Sequence, residues 1–290
     1  MSLIRMALAA VCALLFSITT MTPFVQASEI TISGSTSVAR IMDVLAEKYN
    51  QQHPETYVAV QGVGSTAGIS LLKKGVADIA MTSRYLTESE AQNTLHTFTL
   101  AFDGLAIVVN QANPVTNLTR EQLYGIYKGQ ITNWKQVGGN DQKIAVVTRE
   151  ASSGTRYSFE SLMGLTKTVK DREVSDVAPT ALVVNSNSMM KTLVNHNTQA
   201  VGFISIGSVD KSVKAIQFEK ADPTSDNIAK HTYQLSRPFL ILHYSDNADE
   251  QTKEFIAFLK SESAKKLIVE YGYIMPSDVE EGGSHHHHHH

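Results

Sequence analysis

Ser33-Gly34-Ser35-Thr36-Ser37, Gly62-Val63-Gly64-Ser65-Thr66-Ala67-Gly68 and Ser152-Ser153-Gly154-Thr155 each crowd hydroxyls and glycine into a few residues just before an apolar pattern of helical spacing. A helix leaves its first four N–H groups unpaired and carries partial positive charge at that end. Three such ends brought together hold a small oxyanion with hydroxyls, amides and dipoles. Arg149, a few residues before Ser153, adds one full charge, and Thr82-Ser83-Arg84 supplies a fourth polar turn. Each loop taken alone reads as an ordinary helix N-cap. Their recurrence, with glycine permitting close backbone approach, points to an anion site.

Other chemistry is poorly represented. Gly62-x-Gly64-x-x-Ala67 has the form of a dinucleotide fingerprint, but its helix is short and the next strand ends in Thr82-Ser83-Arg84 where a ribose-binding acid is wanted. No phosphate loop ending in Gly-Lys-Ser/Thr, no nucleophile elbow and no zinc-protease motif occurs. His53, His96, His196, His231 and His243 are scattered without metal-ligand spacing, so no cofactor or metal is implied. Asp103, before Gly104, reads as a turn initiator, and Tyr127 and Trp134 read as packing residues.

The elements that must position these loops alternate. Ile30 and Ile32 mark a strand, and Val38, Ile41, Met42, Leu45 and Tyr49 recur at helical spacing until His53-Pro54. A strand at 57–60, a short helix ending at Gly75 and a strand at 78–81 follow, and Thr87 with Glu90 predicts another helix start. A strand at 105–110, a helix opened by Thr119 and Gln122, a strand at 143–148 and a helix carrying Phe159, Leu162 and Met163 repeat the device. Strands at 200–206, 213–218 and 239–243 and one last helix from Phe255 to Tyr271, closed by Gly272, complete the pattern; 222–230 reads as loop. Alternating strand and helix predicts an α/β fold with a mostly parallel sheet.

The 290-residue chain has 25 basic and 28 acidic residues, a net charge of −3, which argues against nucleic acid. An anion must then be held by local dipoles, since the overall field does not attract it. Residues 1–27 read as a cleavable signal peptide: Arg5 is the positive region, Ala7 to Ile18 the apolar region, and Val25-Gln26-Ala27 the cleavage site. This predicts a periplasmic product without a membrane span. Cys12 is the only cysteine and leaves with the signal, so neither a disulfide nor a thiolate site is expected. Residues 281–290, ending in six histidines, read as a purification tag. The rest predicts two lobes, one from 28–105 plus the return at 238–280, the other from 106–237, joined by two crossing strands near Leu105 and Phe239 that form a hinge.

At these residues the chain resembles the periplasmic phosphate-binding proteins that feed phosphate ABC transporters. The motifs run over nearly the whole mature chain: Ser33 to Ser37, Gly62-x-Gly64-Ser65-x-x-Gly68, Asp103-Gly104, Ile131-Thr132-Asn133-Trp134, Val137-Gly138-Gly139, Arg149 with Ser153-Gly154-Thr155, and Val201-Gly202-Phe203. The resemblance implies a type II two-lobe binding-protein fold that closes around inorganic phosphate. It also implies delivery to a membrane permease driven by an ATPase, with the binding protein a monomer. It carries phosphate contacts onto Ser35, Thr36, Ser37, Ser65, Arg149, Ser153, Gly154 and Thr155. Ser83 stands where the best-known members place an Asp that accepts the phosphate proton, and Asp103 is the candidate replacement. The alternatives are a binding protein for sulfate, molybdate or tungstate, an exported phosphatase using Ser153 or Ser35 as nucleophile, and a surface or matrix protein with a secondary anion site.

Overall fold

Ile30 and Ile32 lie in β1 (Ser28–Gly34), and the helical run that follows is α1 (Thr36–Gln52), whose stripe of Val38, Ile41, Met42, Leu45 and Tyr49 is buried. β2 (Thr56–Gly62), α2 (Ser65–Lys73) and β3 (Ile79–Thr82) repeat the strand-loop-helix step. The computed structural model describes residues 28–244 and 248–276, so the expected signal peptide at 1–27 and the tag at 281–290 lie outside the described residues.

Thr87 and Glu90 do not start a helix. Glu90 Oε1 does accept from Thr87 N at 2.9 Å, as a capping box requires, but the carboxylate is also held by the Arg84 guanidinium at 2.7 and 2.9 Å. Ala91-Gln92-Asn93-Thr94 then offers no apolar stripe to bury, and an isolated helical turn without packing is unstable. The chain instead enters β4 (Leu95–Val109), a strand of 15 residues that runs straight through Asp103-Gly104. The expected turn there is absent because Asp103 and Gly104 are paired with Arg237 and Ser236 of β12 (Ser236–Tyr244).

Between these two long strands lie β5 (Asn117–Leu118), α3 (Arg120–Tyr127), β6 (Ala145–Arg149) and α4 (Gly154–Met163). The capping box of Thr119 and Gln122 forms on α3. A hairpin of β7 (Thr166–Val169) and β8 (Arg172–Ser175) leads to β9 (Leu182–Val184), α5 (Asn187–His196), β10 (Ala200–Ser205) and β11 (Lys214–Phe218). The segment read as loop contains a short α6 (Ser225–Ala229). The single C-terminal helix is two, α7 (Glu250–Leu259) and α8 (Glu262–Glu270), because Ser261 turns its hydroxyl to Ala264 N and caps a new helix.

The ten-stranded sheet has the order β2-β1-β3-β12-β4-β10-β6-β9, with β11 beside β4 and β5. β4 pairs with β12 through 95–104 and with β10 through 105–109, so one strand belongs to two halves of the sheet. Each half has its own core: Ile30, Ile41, Met81, Phe239 and Phe255 in one, Leu105, Ile126, Trp134, Phe159 and Phe203 in the other. Smaller clusters around Leu72 and Leu240, and around Val147 and Met190, cover the opposite faces. The molecule is a two-lobe α/β protein. Tyr127 and Trp134 are fully buried, with their polar tips donating to Val147 O and Gln199 O at 2.8 Å.

Within the first lobe β1, β2 and β3 are parallel, and within the second β10, β6 and β9 are parallel. The loops after their carboxyl ends are the polar ones, which is where open α/β sheets bind ligands.

Candidate anion site

Backbone bonds stitch the three loops of the first lobe into one surface. Gly34, at the end of β1, has φ +151°, and a Cβ there would sit 1.9 Å from Met81 O. The gap that glycine leaves lets Ser35 N donate to Met81 O at 2.8 Å, while Gly34 O accepts from Val63 N and Gly64 N at 2.8 and 2.9 Å. Ser65 Oγ then accepts from Ser83 N at 3.1 Å. Two helix N-termini thus stand side by side. Ser35 caps α1 by accepting from Val38 N, whereas Gly64 brings no side chain to cap α2.

The second lobe presents one more helix start. Phe159 and Met163 anchor α4 in the core, with Phe159 stacked on Phe203 at 4.1 Å between ring centroids. Burying a side chain of that size contributes about 1.5–3 kcal/mol, which holds the far end of α4 in place. Ser153 caps it by accepting from Arg156 N at 3.1 Å. Arg149 ends β6 beside this cap and is buried, with Nη1 3.4 Å from Asn187 Oδ1 at the start of α5. Its Nε and Nη2 are both taken by Glu150, and this bond holds the Glu150 carboxyl below its ordinary range. The full charge expected of Arg149 is thus paired with Glu150, and two further guanidinium groups lie near the same loops.

The first of these is Arg40, on α1. It crosses to the other lobe, donates from Nη1 to Ser152 O at 2.8 Å and lies 5.7 Å over the Tyr157 ring. Beside it Thr36 Oγ1 and Tyr157 Oη are 3.1 Å apart. The second is Arg237, whose Nη2 donates to Ser37 Oγ at 2.7 Å and to Ser158 Oγ at 2.9 Å. Ser158 in turn donates to Asp103 Oδ2. Asp103 is buried, and burial raises its carboxyl above the ordinary range against the opposing pull of Arg237 and Ser158. Burial and then Asp103 push the Tyr273 phenol up as well.

A cavity of about 390 Å³ between the lobes is lined by Arg149, Ser153, Gly154 and Thr155 on one side and Arg40 on the other. A larger one, about 500 Å³, lies on the first lobe among Lys73, Asp78 and Thr252 and contains none of the predicted residues. Ser35, Thr36, Ser65 and Ser83 belong to the stitched loops of the first lobe and are not among the residues lining the cavity beside Arg149. Ser37 and Asp103 sit beneath, bonded to Arg237 and Ser158. The donors are hydroxyls, helix amides and guanidinium groups, which suit a tetrahedral oxyanion.

The PBP superfamily domain matches residues 23–263. The phosphate-binding protein PstS of Borreliella burgdorferi is 30% identical over 249 residues, spanning 84% of this chain and 89% of that protein. The chain belongs to the PstS family of the PBP superfamily. A crystal structure of an ABC-type phosphate transport receptor from Vibrio cholerae is 98% identical, covers 85% of this chain and 100% of its own, and superposes with a TM-score of 0.66. A phosphate ABC transporter substrate-binding protein from Clostridium perfringens, with bound phosphate, is 36% identical over 85% of this chain and 99% of its own, TM-score 0.50. Arg40, Tyr157, Ser158, Glu150 and Arg237 were not singled out in the sequence. The one signal for Arg237 is a charge standing two residues before the apolar run Phe239 to Leu242, with Pro238 between.

Proposed function

We propose that the protein captures inorganic phosphate between its lobes and delivers it to the permease of an ABC transporter driven by an ATPase, acting as a monomer in the periplasm. One observation carries the reading of the site. Thr36 at the start of α1 meets Tyr157 of α4 across the lobes, and the N-terminus of α4 lines a cavity between the lobes together with Arg149 and Arg40. PstS relatives matched over most of their length support phosphate as the anion. Among the described residues no helix is long and apolar enough to cross a membrane, in keeping with a carrier that moves between capture and permease.

Binding requires no nucleophile, and the serines named as possible nucleophiles are otherwise used. Ser35 and Ser153 both turn their hydroxyl oxygens to backbone N–H groups as helix caps. Titration calorimetry of refolded, anion-free protein against phosphate, sulfate and molybdate tests the proposal. Phosphate is expected to bind most tightly. A preference for sulfate or molybdate would move the protein to another oxyanion, and hydrolysis of a chromogenic phosphate ester would make it an enzyme.

A further inference from the structure

The two strands that join the lobes carry opposite charges at matching places. Asp103 of β4 and Arg237 of β12 are register partners, with side chains 8% and 12% exposed. Arg237 Nη2 bonds two serines at once, Ser37 in the first turn of α1 and Ser158 in the second turn of α4. The Ser158 hydroxyl, spending its proton on Asp103, is left as an acceptor for the guanidinium. Arg237 Nε is buried without a hydrogen-bond partner, 3.7 Å from Asp103 Oδ2.

We propose that Arg237 is a positioning residue that couples phosphate occupancy to closure of the lobes. This rests on the anion-binding reading of the site above it. Ser37 and Ser158 belong to different lobes, so one nitrogen can bond both only when α1 and α4 are together. Separating the lobes strips the buried guanidinium of one of its two acceptors, and leaving such a donor unmade is costly. Asp103 fixes the guanidinium from the neighbouring strand. The clasp lies one residue behind Thr36, so the geometry that aims the loop at the anion is the geometry that closes the hinge. Raising the closed fraction raises apparent affinity in proportion and slows release.

The test uses the Ser158→Ala, Arg237→Lys and Arg237→Gln variants of the full chain. Stopped-flow with inorganic phosphate gives association and dissociation rates, and small-angle scattering gives the radius of gyration with and without phosphate. Ser158→Ala and Arg237→Lys are each expected to speed dissociation about tenfold or more while association changes less than about threefold. Arg237→Gln is expected to enlarge the anion-free molecule relative to wild type. Wild-type dissociation rates in Ser158→Ala, or full rescue by lysine, which cannot reproduce the planar fork, would overturn the clasp. Should wild type fail to bind phosphate, the proposed function falls. The clasp is then decided by scattering alone, and an unchanged radius in Arg237→Gln would reject it.

Discussion

The Arg149 guanidinium and the Glu150 carboxylate, adjacent in sequence, meet through two bonds of 3.0 Å, Nε to Oε2 and Nη2 to Oε1. The pair is locally neutral, so the guanidinium is held by its neighbour as an oriented donor and adds no net charge. Such two-point pairing fixes the plane of the group, which lysine cannot match. In a chain of net charge −3, affinity for an anion has to come from this kind of local order.

Removing the oriented donor gives the simplest test. Arg149→Ala is expected to weaken phosphate binding by about 1.5–3 kcal/mol, the scale of a bond to a charged group. Arg149→Lys is expected to recover only part of that. Calorimetry with phosphate checks both, and near-wild-type affinity in Arg149→Ala would remove Arg149 from the site.

Gly154 meets Arg40 across the lobes. A Cβ at 154 would lie 2.9 Å from Arg40 Cδ, so alanine there must shift the side chain that bonds Ser152 O. Alanine in a helix is otherwise favoured over glycine by about 0.5–1 kcal/mol. Gly154→Ala is therefore expected to leave the thermal midpoint of the anion-free protein equal or higher while weakening phosphate binding. Arg40→Ala should cost a similar amount. The double variant should cost no more than either single one, because both act through one contact. Additive losses would mean that Gly154 serves the anion separately from Arg40.

Local chemistry was readable and long-range chemistry was not. Ser35 and Ser153 announce themselves as caps because capping uses a hydroxyl two or three residues from its partner. The clasp and the inter-lobe strut join residues far apart in the chain, Ser37 to Arg237 and Arg40 to Ser152, and a single charged side chain has no periodicity to reveal it. The β7–β8 hairpin is unmarked in the sequence for a different reason. Its turn places Lys170 and Asp171 at φ 50° and 62°, so the glycine or asparagine that usually marks such a turn is missing. Asp103-Gly104 looked like a turn because both residues disfavour strands, yet pairing with β12 overrides that preference.

Glu90 holds Arg84, and Arg84 Nη2 also reaches Thr66 Oγ1 at 2.8 Å, so the pair braces the turn that carries Ser83 against the start of α2. The bonds from Arg84 keep the Glu90 carboxyl at about 2, below its ordinary 4.5. A carboxyl depressed on folding stabilises the native state above its unfolded value, and that contribution is lost as pH falls through the folded one. Glu90→Gln is expected to lower the urea midpoint at neutral pH, and the gap to wild type should close as pH falls from 4.5 toward about 2. A gap independent of pH would show that glutamine disturbs the turn by shape alone.

Asp103 decides between two accounts of selectivity. As a proton acceptor its carboxylate would reward hydrogen phosphate and repel sulfate, so Asp103→Asn should weaken the first, strengthen the second and narrow the ratio by about tenfold or more. Its bonds favour a different outcome. Oδ2 accepts from Ser158 and faces Arg237 at 3.7 Å, and the residue is buried beneath the loops. An amide there keeps the shape but leaves the guanidinium without its counter-charge, and that loss falls on both anions alike. Asp103→Asn is accordingly expected to weaken phosphate and sulfate together, with their ratio changing less than about threefold, while Ser83→Ala removes a neutral hydroxyl and also weakens both. Competition of the two anions for each variant reads the ratio directly. A narrowed ratio in Asp103→Asn would return the carboxylate to the ligand. An unchanged one leaves discrimination to the fit of donors around the anion, since a cradle built from hydroxyls, amides and guanidinium groups offers a protonated oxygen only the hydroxyl lone pairs as acceptors.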